Sequence, residues 1–214
     1  MMRKFLNYLN QGFFFSWPLR ILYIFTGVIS LITMLFLGIY GVMRVPQALH
    51  FDYIEEGWSK FTAYLALGLI CLYLIFLGVL ALLFWIEKYK EVKLFVRPGD
   101  KIIGLNIFAH YIQASGESNG ISTFLGLVGF FWIFFIFSLF SGFKVFFQFG
   151  WDMSMFLKAF FIGLIVGLVF TLLVFIASYL IILTSRVAAE KLRVKAMVAN
   201  DLSDVADIQR AGVI

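Results

Sequence analysis

The side chains that could support chemistry are few, and their positions disfavour catalytic and metal sites. The two histidines, His50 and His110, fall in different loops between long apolar stretches, on opposite sides of a bilayer. They therefore cannot bind one metal ion or one haem within a single chain. Cys71 is the only cysteine, which excludes an intrachain disulfide and a cysteine-based metal centre. We expect no enzymatic activity, no catalytic residues, no cofactor and no metal.

One group of polar residues has a regular spacing. Asn106, His110 and Gln113 recur at i, i+4 and i+7 within residues 101–114, which are otherwise strongly apolar. This spacing places all three on one face of a helix. It predicts a short helix that lies in the cytoplasmic membrane interface, with its polar face toward water or a partner. Residues 115–120, Ser-Gly-Glu-Ser-Asn-Gly, then predict a flexible break before the next apolar stretch.

The elements that carry these residues are predicted membrane spans. The chain is 63% hydrophobic and 14% charged, whereas soluble domains are about 45–50% apolar and about 25% charged. A span needs about 20 apolar residues, and lipid requires each span to satisfy its own backbone hydrogen bonds as a helix. The sequence predicts an all-α integral membrane protein, a single domain of residues 1–214 with four transmembrane helices arranged as two hairpins. The uncharged stretches run over residues 21–43, 61–86, 121–143 and 159–185.

The distribution of Lys and Arg predicts the orientation. Of the 17 basic residues, 13 lie in the N-terminal tail, the middle loop and the C-terminal tail, and the two other loops hold four. Because cytoplasmic loops carry the excess of Lys and Arg, both termini are predicted to be cytoplasmic. We expect a bacterial inner (plasma) membrane. The net charge of +5 then faces anionic lipid, and no arginine-rich pattern indicates nucleic acid.

The fourth apolar stretch carries small residues at every fourth position. Ala159, Gly163, Gly167 and Thr171 form a stripe along one helical face. Small residues allow two helices to approach closely in lipid, where no hydrophobic effect drives them together. This pattern predicts a helix-packing face. The face could pack on another span of the same chain or on another subunit, and the sequence leaves both open.

The C-terminal tail, residues 186–214, has a helical pattern of its own. Its first part is basic and its later part is acidic. Anionic headgroups attract the first part and not the second, so we expect the tail to leave the membrane surface and its apolar stripe to bind a partner. The stripe consists of residues at i, i+4, i+8, i+11 and i+14: Val194, Val198, Leu202, Val205 and Ile208.

Two functions remain open from the sequence. The first is a non-enzymatic subunit of a larger membrane complex, with a scaffold, anchoring or assembly role. The alternative is a small oligomeric channel or transporter with a neutral-lined path, for which Ser138, Ser141 and Thr171 offer hydroxyl groups. No Asp, Glu, Lys, Arg or His lies inside a predicted span, which disfavours proton-coupled transport. The expected partners are the lipid bilayer and either other membrane-protein subunits or a second copy of the chain.

Overall fold

A computed structural model of the chain describes residues 13–48, 58–95, 103–148 and 153–210, and this part of the chain is helical. The four helices are α1 (Phe13–Ala48), α2 (Trp58–Phe95), α3 (Ile103–Gln148) and α4 (Met153–Arg210). Each contains one of the predicted apolar stretches. All four described helices are long and apolar enough to cross a membrane, as expected for an integral membrane protein.

All four described helices are much longer than a span. Helices α1, α2, α3 and α4 have 36, 38, 46 and 58 residues, or about 54, 57, 69 and 87 Å at 1.5 Å per residue. A bilayer core is about 30 Å thick. The additional turns lie mostly in the segments that the sequence predicted as the middle loop and the tail. Most of that loop is therefore a continuation of α2 and α3.

The predicted break at residues 115–120 is wrong. These residues are helical, and α3 continues through them without interruption from Ile103 to Gln148. The expected short helix is therefore the beginning of α3. Tertiary contacts explain the difference, because Gly116 lies against Ser185 of α4 and Glu117 bonds to Arg186. Such contacts override the weak helix propensity of glycine and serine.

The helices contribute to two compact units. Unit 1 comprises residues 1–29, 82–120 and 179–214, and unit 2 comprises residues 30–81 and 121–178. In unit 2, Gly38 of α1 lies against the Sγ atom of Cys71 of α2, and Gly78 of α2 lies against Leu31 and Met34 of α1. Glycine thus brings α1 and α2 close together in this unit.

The small-residue stripe of α4 meets aromatic side chains of α3 within unit 2. Gly163 lies against the ring of Phe135, and Gly167 lies against the rings of Phe131 and Trp132. The indole Nε1 of Trp132 donates a hydrogen bond of 3.1 Å to Thr171 Oγ1. Thr171 in turn donates to the backbone carbonyl of Gly167 at 2.8 Å. These glycines therefore leave room for aromatic rings of the same chain.

Replacing Gly163 with Leu should destabilise the protein, because a Cβ atom at this position would overlap the ring of Phe135. Overpacking of this kind typically costs about 1–3 kcal/mol. Ala159→Leu is the matched control, since Ala159 is exposed on the same helix. Thermal unfolding in detergent, followed by circular dichroism, measures both. Equal melting temperatures for the two variants would contradict the packing described here.

Candidate functional site

A group of nine polar side chains, drawn from all four helices, meets in unit 1. We call it the polar network. The charged members follow or precede the apolar stretches of α2, α3 and α4, so they lie just beyond the predicted spans. The members are Tyr23 of α1, Lys88 and Glu91 of α2, His110, Gln113 and Glu117 of α3, and Arg186, Glu190 and Arg193 of α4.

Glu117 lies at the centre of the polar network. Its side chain is only 9% exposed, and its Oε2 atom lies 3.0 Å from Nζ of Lys88. Its Oε1 atom accepts hydrogen bonds from Gln113 Nε2 and from Arg186 Nε, each at 2.9 Å. Burying a carboxylate is unfavourable unless cations and hydrogen-bond donors surround it. Here they come from α2, α3 and α4, so one carboxylate connects three helices.

A second branch of the polar network reaches α1. Glu91 Oε2 accepts a hydrogen bond from Lys88 Nζ at 2.9 Å and lies 3.5 Å from Nε2 of His110. The Nδ1 atom of His110 lies 2.8 Å from the hydroxyl of Tyr23. A neutral imidazole with its proton on Nε2 satisfies both contacts, because Tyr23 then donates to Nδ1. His110 and Tyr23 are 3% and 0% exposed, so the imidazole joins α1, α2 and α3 inside the protein.

The third branch holds the beginning of the α4 tail. Arg193 donates a hydrogen bond from its NH2 group to Gln113 Oε1 at 2.7 Å. Its NH1 group forms an ion pair with Glu190 one turn earlier on α4. The polar network thus contains three Lys or Arg residues and three Glu residues, with a neutral His110. Because these opposite charges lie within one hydrogen-bonded group, the arrangement is suited to holding the helices together.

The structure corrects the predicted orientation of the polar face. Asn106, His110 and Gln113 were expected to face water or a partner. His110 is instead buried in the polar network, Gln113 bonds to residues of α3 and α4, and Asn106 is half-buried. The spacing places the three residues on one helical face, but the groups that surround this face come from α1, α2 and α4. One of them, Arg193, lies 80 residues along the chain from Gln113.

The same region contains a sequence motif that bears on the expectation of no enzymatic activity. Residues 116–120, Gly-Glu-Ser-Asn-Gly, match the G-x-S-x-G pattern of hydrolase nucleophile elbows. That motif requires a sharp turn between a strand and a helix, which exposes the serine. Here Ser118 lies inside α3 and is half-buried. Gly116 serves close helix packing, since an added Cβ atom would overlap the side chain of Ser185. The geometry of a nucleophile elbow is therefore absent from this described segment.

The apolar stripe of the tail lies on the exposed side of α4. The side chains of Val194, Val198, Leu202 and Val205 are 57%, 52%, 65% and 50% exposed, and the side chain of Ile208 lies outside the described part of the chain. On the opposite side, Ala189 and Ala196 are fully buried. The prediction that this stripe binds a partner stays a prediction.

The hydroxyl groups proposed for a neutral-lined path have different surroundings. Thr171 bonds to Trp132 and to the backbone of its own helix. Ser138 is exposed on α3, and the side chain of Ser141 lies outside the described part of the chain. In unit 2, a hydroxyl of another residue bridges two helices: Tyr73 of α2 donates to the backbone carbonyl of Leu125 on α3.

Comparisons with known proteins found no relative of this chain. The chain matches no protein-family model, and no curated protein or solved structure is significantly similar to it.

Replacing Glu117 with Gln should lower the free energy of unfolding by about 3 kcal/mol, because the nearly buried Lys88 is left without its carboxylate and the more exposed Arg186 also loses its ion pair. The control is Glu87→Gln, which makes the same chemical change at an exposed position of α2. Chemical unfolding in detergent micelles, followed by circular dichroism, measures the difference. A change in Glu117→Gln no larger than that in Glu87→Gln would show that the polar network does not stabilise the fold.

Proposed function

We propose that this protein is a non-enzymatic subunit of a larger membrane complex, with a scaffold, anchoring or assembly role. The proposal rests on which side chains of the α4 tail are buried and which are exposed. Ala189 and Ala196 are buried within unit 1, while Val194, Val198 and Leu202 are more than half exposed. A helix with no further partner turns its large apolar side chains inward. An exposed apolar stripe on a helix that is already packed indicates a surface that another protein covers.

The polar network supports the same proposal. Arg193 bonds to Gln113 and Arg186 bonds to Glu117, so the first turns of the tail are attached to α3. A partner therefore meets an ordered helix rather than a mobile segment. Order before binding lowers the entropic cost of association. The charge balance within the network is consistent with a structural role and not with turnover of a substrate.

The proposed location is a bacterial inner (plasma) membrane, with both termini in the cytoplasm. The excess of Lys and Arg in the two tails and the middle segment supports this orientation. The tail would then present its apolar stripe in the cytoplasm.

Purification of the tagged chain from its native membrane in mild detergent, followed by native mass spectrometry, tests the proposal. We expect other proteins at fixed stoichiometry, and we expect their loss when the chain ends at Arg193, because the exposed stripe is then removed. A chain that ends at Arg210 is the control, since it keeps the stripe to Val205 and Ile208.

Recovery of copies of this chain alone, without another protein, would contradict the subunit proposal. Ion or solute flux in liposomes that contain the purified chain would then test the alternative of a small oligomeric channel or transporter.

A further inference from the structure

Two lysines at the beginning of the α4 tail are not used by the polar network. They line an open groove of about 530 Å³ together with four other residues of α4: Arg186, Val187, Glu190, Lys191, Val194 and Lys195. Arg186 pairs with Glu117, and Glu190 pairs with Arg193. Lys191 and Lys195 are exposed, and within the described part of the chain their side chains form no ion pair or hydrogen bond. These two ammonium groups can therefore be reached by a partner.

The same lysines border the exposed apolar stripe of the tail. At 3.6 residues per turn, Lys191 and Lys195 fall on one side of the line from Val194 to Val198, and the exposed Asp201 falls on the other side. Lysine lays its apolar stem along such a surface and keeps its charge at the rim. We call this surface the tail face: Lys191, Val194, Lys195, Val198, Asp201, Leu202 and Val205.

Lipid does not reach most of the tail face. Helix α4 continues without interruption from its apolar stretch, which ends at Ser185, to Arg210. At 1.5 Å per residue, Val198 and Val205 lie about 20 and 30 Å beyond Ser185 along the helix axis. The interfacial layer on each side of a bilayer core is only about 5–8 Å thick. The carboxylate of Asp201 is also repelled by anionic headgroups. The occupant of these side chains is therefore a protein.

A second copy of this chain does not match the charges. Because α4 is one helix from the apolar stretch into the tail, the tails of two copies in one membrane run in the same direction. Each residue of such a pair faces its own counterpart, which places Lys191 and Lys195 against lysines and Asp201 against an aspartate. Like charges at these positions are unfavourable. A different chain with the opposite charges avoids this repulsion.

We propose that the tail face binds an amphipathic helix of a different protein, with carboxylates opposite Lys191 and Lys195 and a basic residue opposite Asp201. The shape of the apolar stripe indicates a helix as the partner, because its four exposed members recur at i, i+4, i+8 and i+11 along three turns. The charges at the rim then set the direction and register of the partner. The proposal rests on the proposed function, since it names the chemistry of the partner that the tail binds.

Synthetic helical peptides test the charge requirement. Two peptides carry the same leucine stripe. One has glutamates beside its first two turns and lysines beside its last two, and the other has glutamines at all these positions. Fluorescence anisotropy measures their binding to the purified full-length chain in detergent. We expect the charged peptide to bind about tenfold more tightly, because several matched pairs act together. Equal affinities would overturn the proposal.

Charge removal identifies the side chains responsible. The double variant Lys191→Gln, Lys195→Gln should reduce the preference for the charged peptide to about twofold, because only Asp201 still meets an opposite charge. Lys90→Gln is the matched control, since Lys90 is exposed on α2 and lies outside the tail face. Circular dichroism verifies that each variant is folded. A double variant that keeps the full preference would overturn the proposal.

Photocrosslinking from the tail face in the native membrane identifies the natural occupant. A photoreactive amino acid replaces Val198 in the full-length chain, and mass spectrometry sequences the segment that is crosslinked to it. We expect a segment of another protein that carries Asp or Glu residues at helical spacing. Crosslinks to a second copy of this chain, to lipid or to a segment without such acidic residues would overturn the proposal, as would the absence of any crosslink.

These outcomes are distinct from those of the proposed function. Other proteins at fixed stoichiometry, without an acidic helix crosslinked to position 198, would retain the subunit proposal and reject this partner. Recovery of this chain without any other protein would reject the subunit proposal itself.

Discussion

A buried carboxylate needs cations within hydrogen-bonding distance, and in this protein that requirement is met by residues distant in sequence. Glu117 is held by Lys88 of α2 and Arg186 of α4. Both cations must stay within reach of one side chain, so the ion pairs constrain how far α2 and α4 can slide or rotate relative to α3 in unit 1. Helices in lipid have no hydrophobic effect to drive them together. Polar contacts just beyond the apolar stretches therefore contribute to their register.

Small residues make these contacts sterically feasible. Gly116 precedes Glu117 and lies against Ser185, which precedes Arg186. The close approach of α3 and α4 at this pair brings the carboxylate and the guanidinium within 2.9 Å. In unit 2, Gly163 and Gly167 accommodate aromatic rings of α3 in a comparable way. Glycine positions and ion pairs thus serve one purpose in α3 and α4, which is close packing of long helices.

The features predictable from the sequence are those that depend on local composition. Each of the four apolar stretches lies in a helix long enough to cross a membrane, because length and hydropathy suffice for that inference. The helical continuation through residues 115–120 was not predictable, since it depends on contacts with Ser185 and Arg186 far along the chain. The inward orientation of His110 was missed for the same reason, because Tyr23 and Glu91 belong to other helices. A periodic pattern in the sequence shows which residues share a helical face. The surroundings of that face depend on residues of other helices.

A double-mutant cycle between Lys88 and Glu117 tests the central claim that this ion pair joins α2 to α3. The free energy of unfolding is measured in detergent for the unmodified chain, Lys88→Met, Glu117→Gln and the double variant. We expect a coupling energy of about 1–2 kcal/mol, because both side chains are nearly buried and interact directly. Additive effects, within about 0.3–0.5 kcal/mol, would contradict the claim and show that the two helices are held together by other contacts.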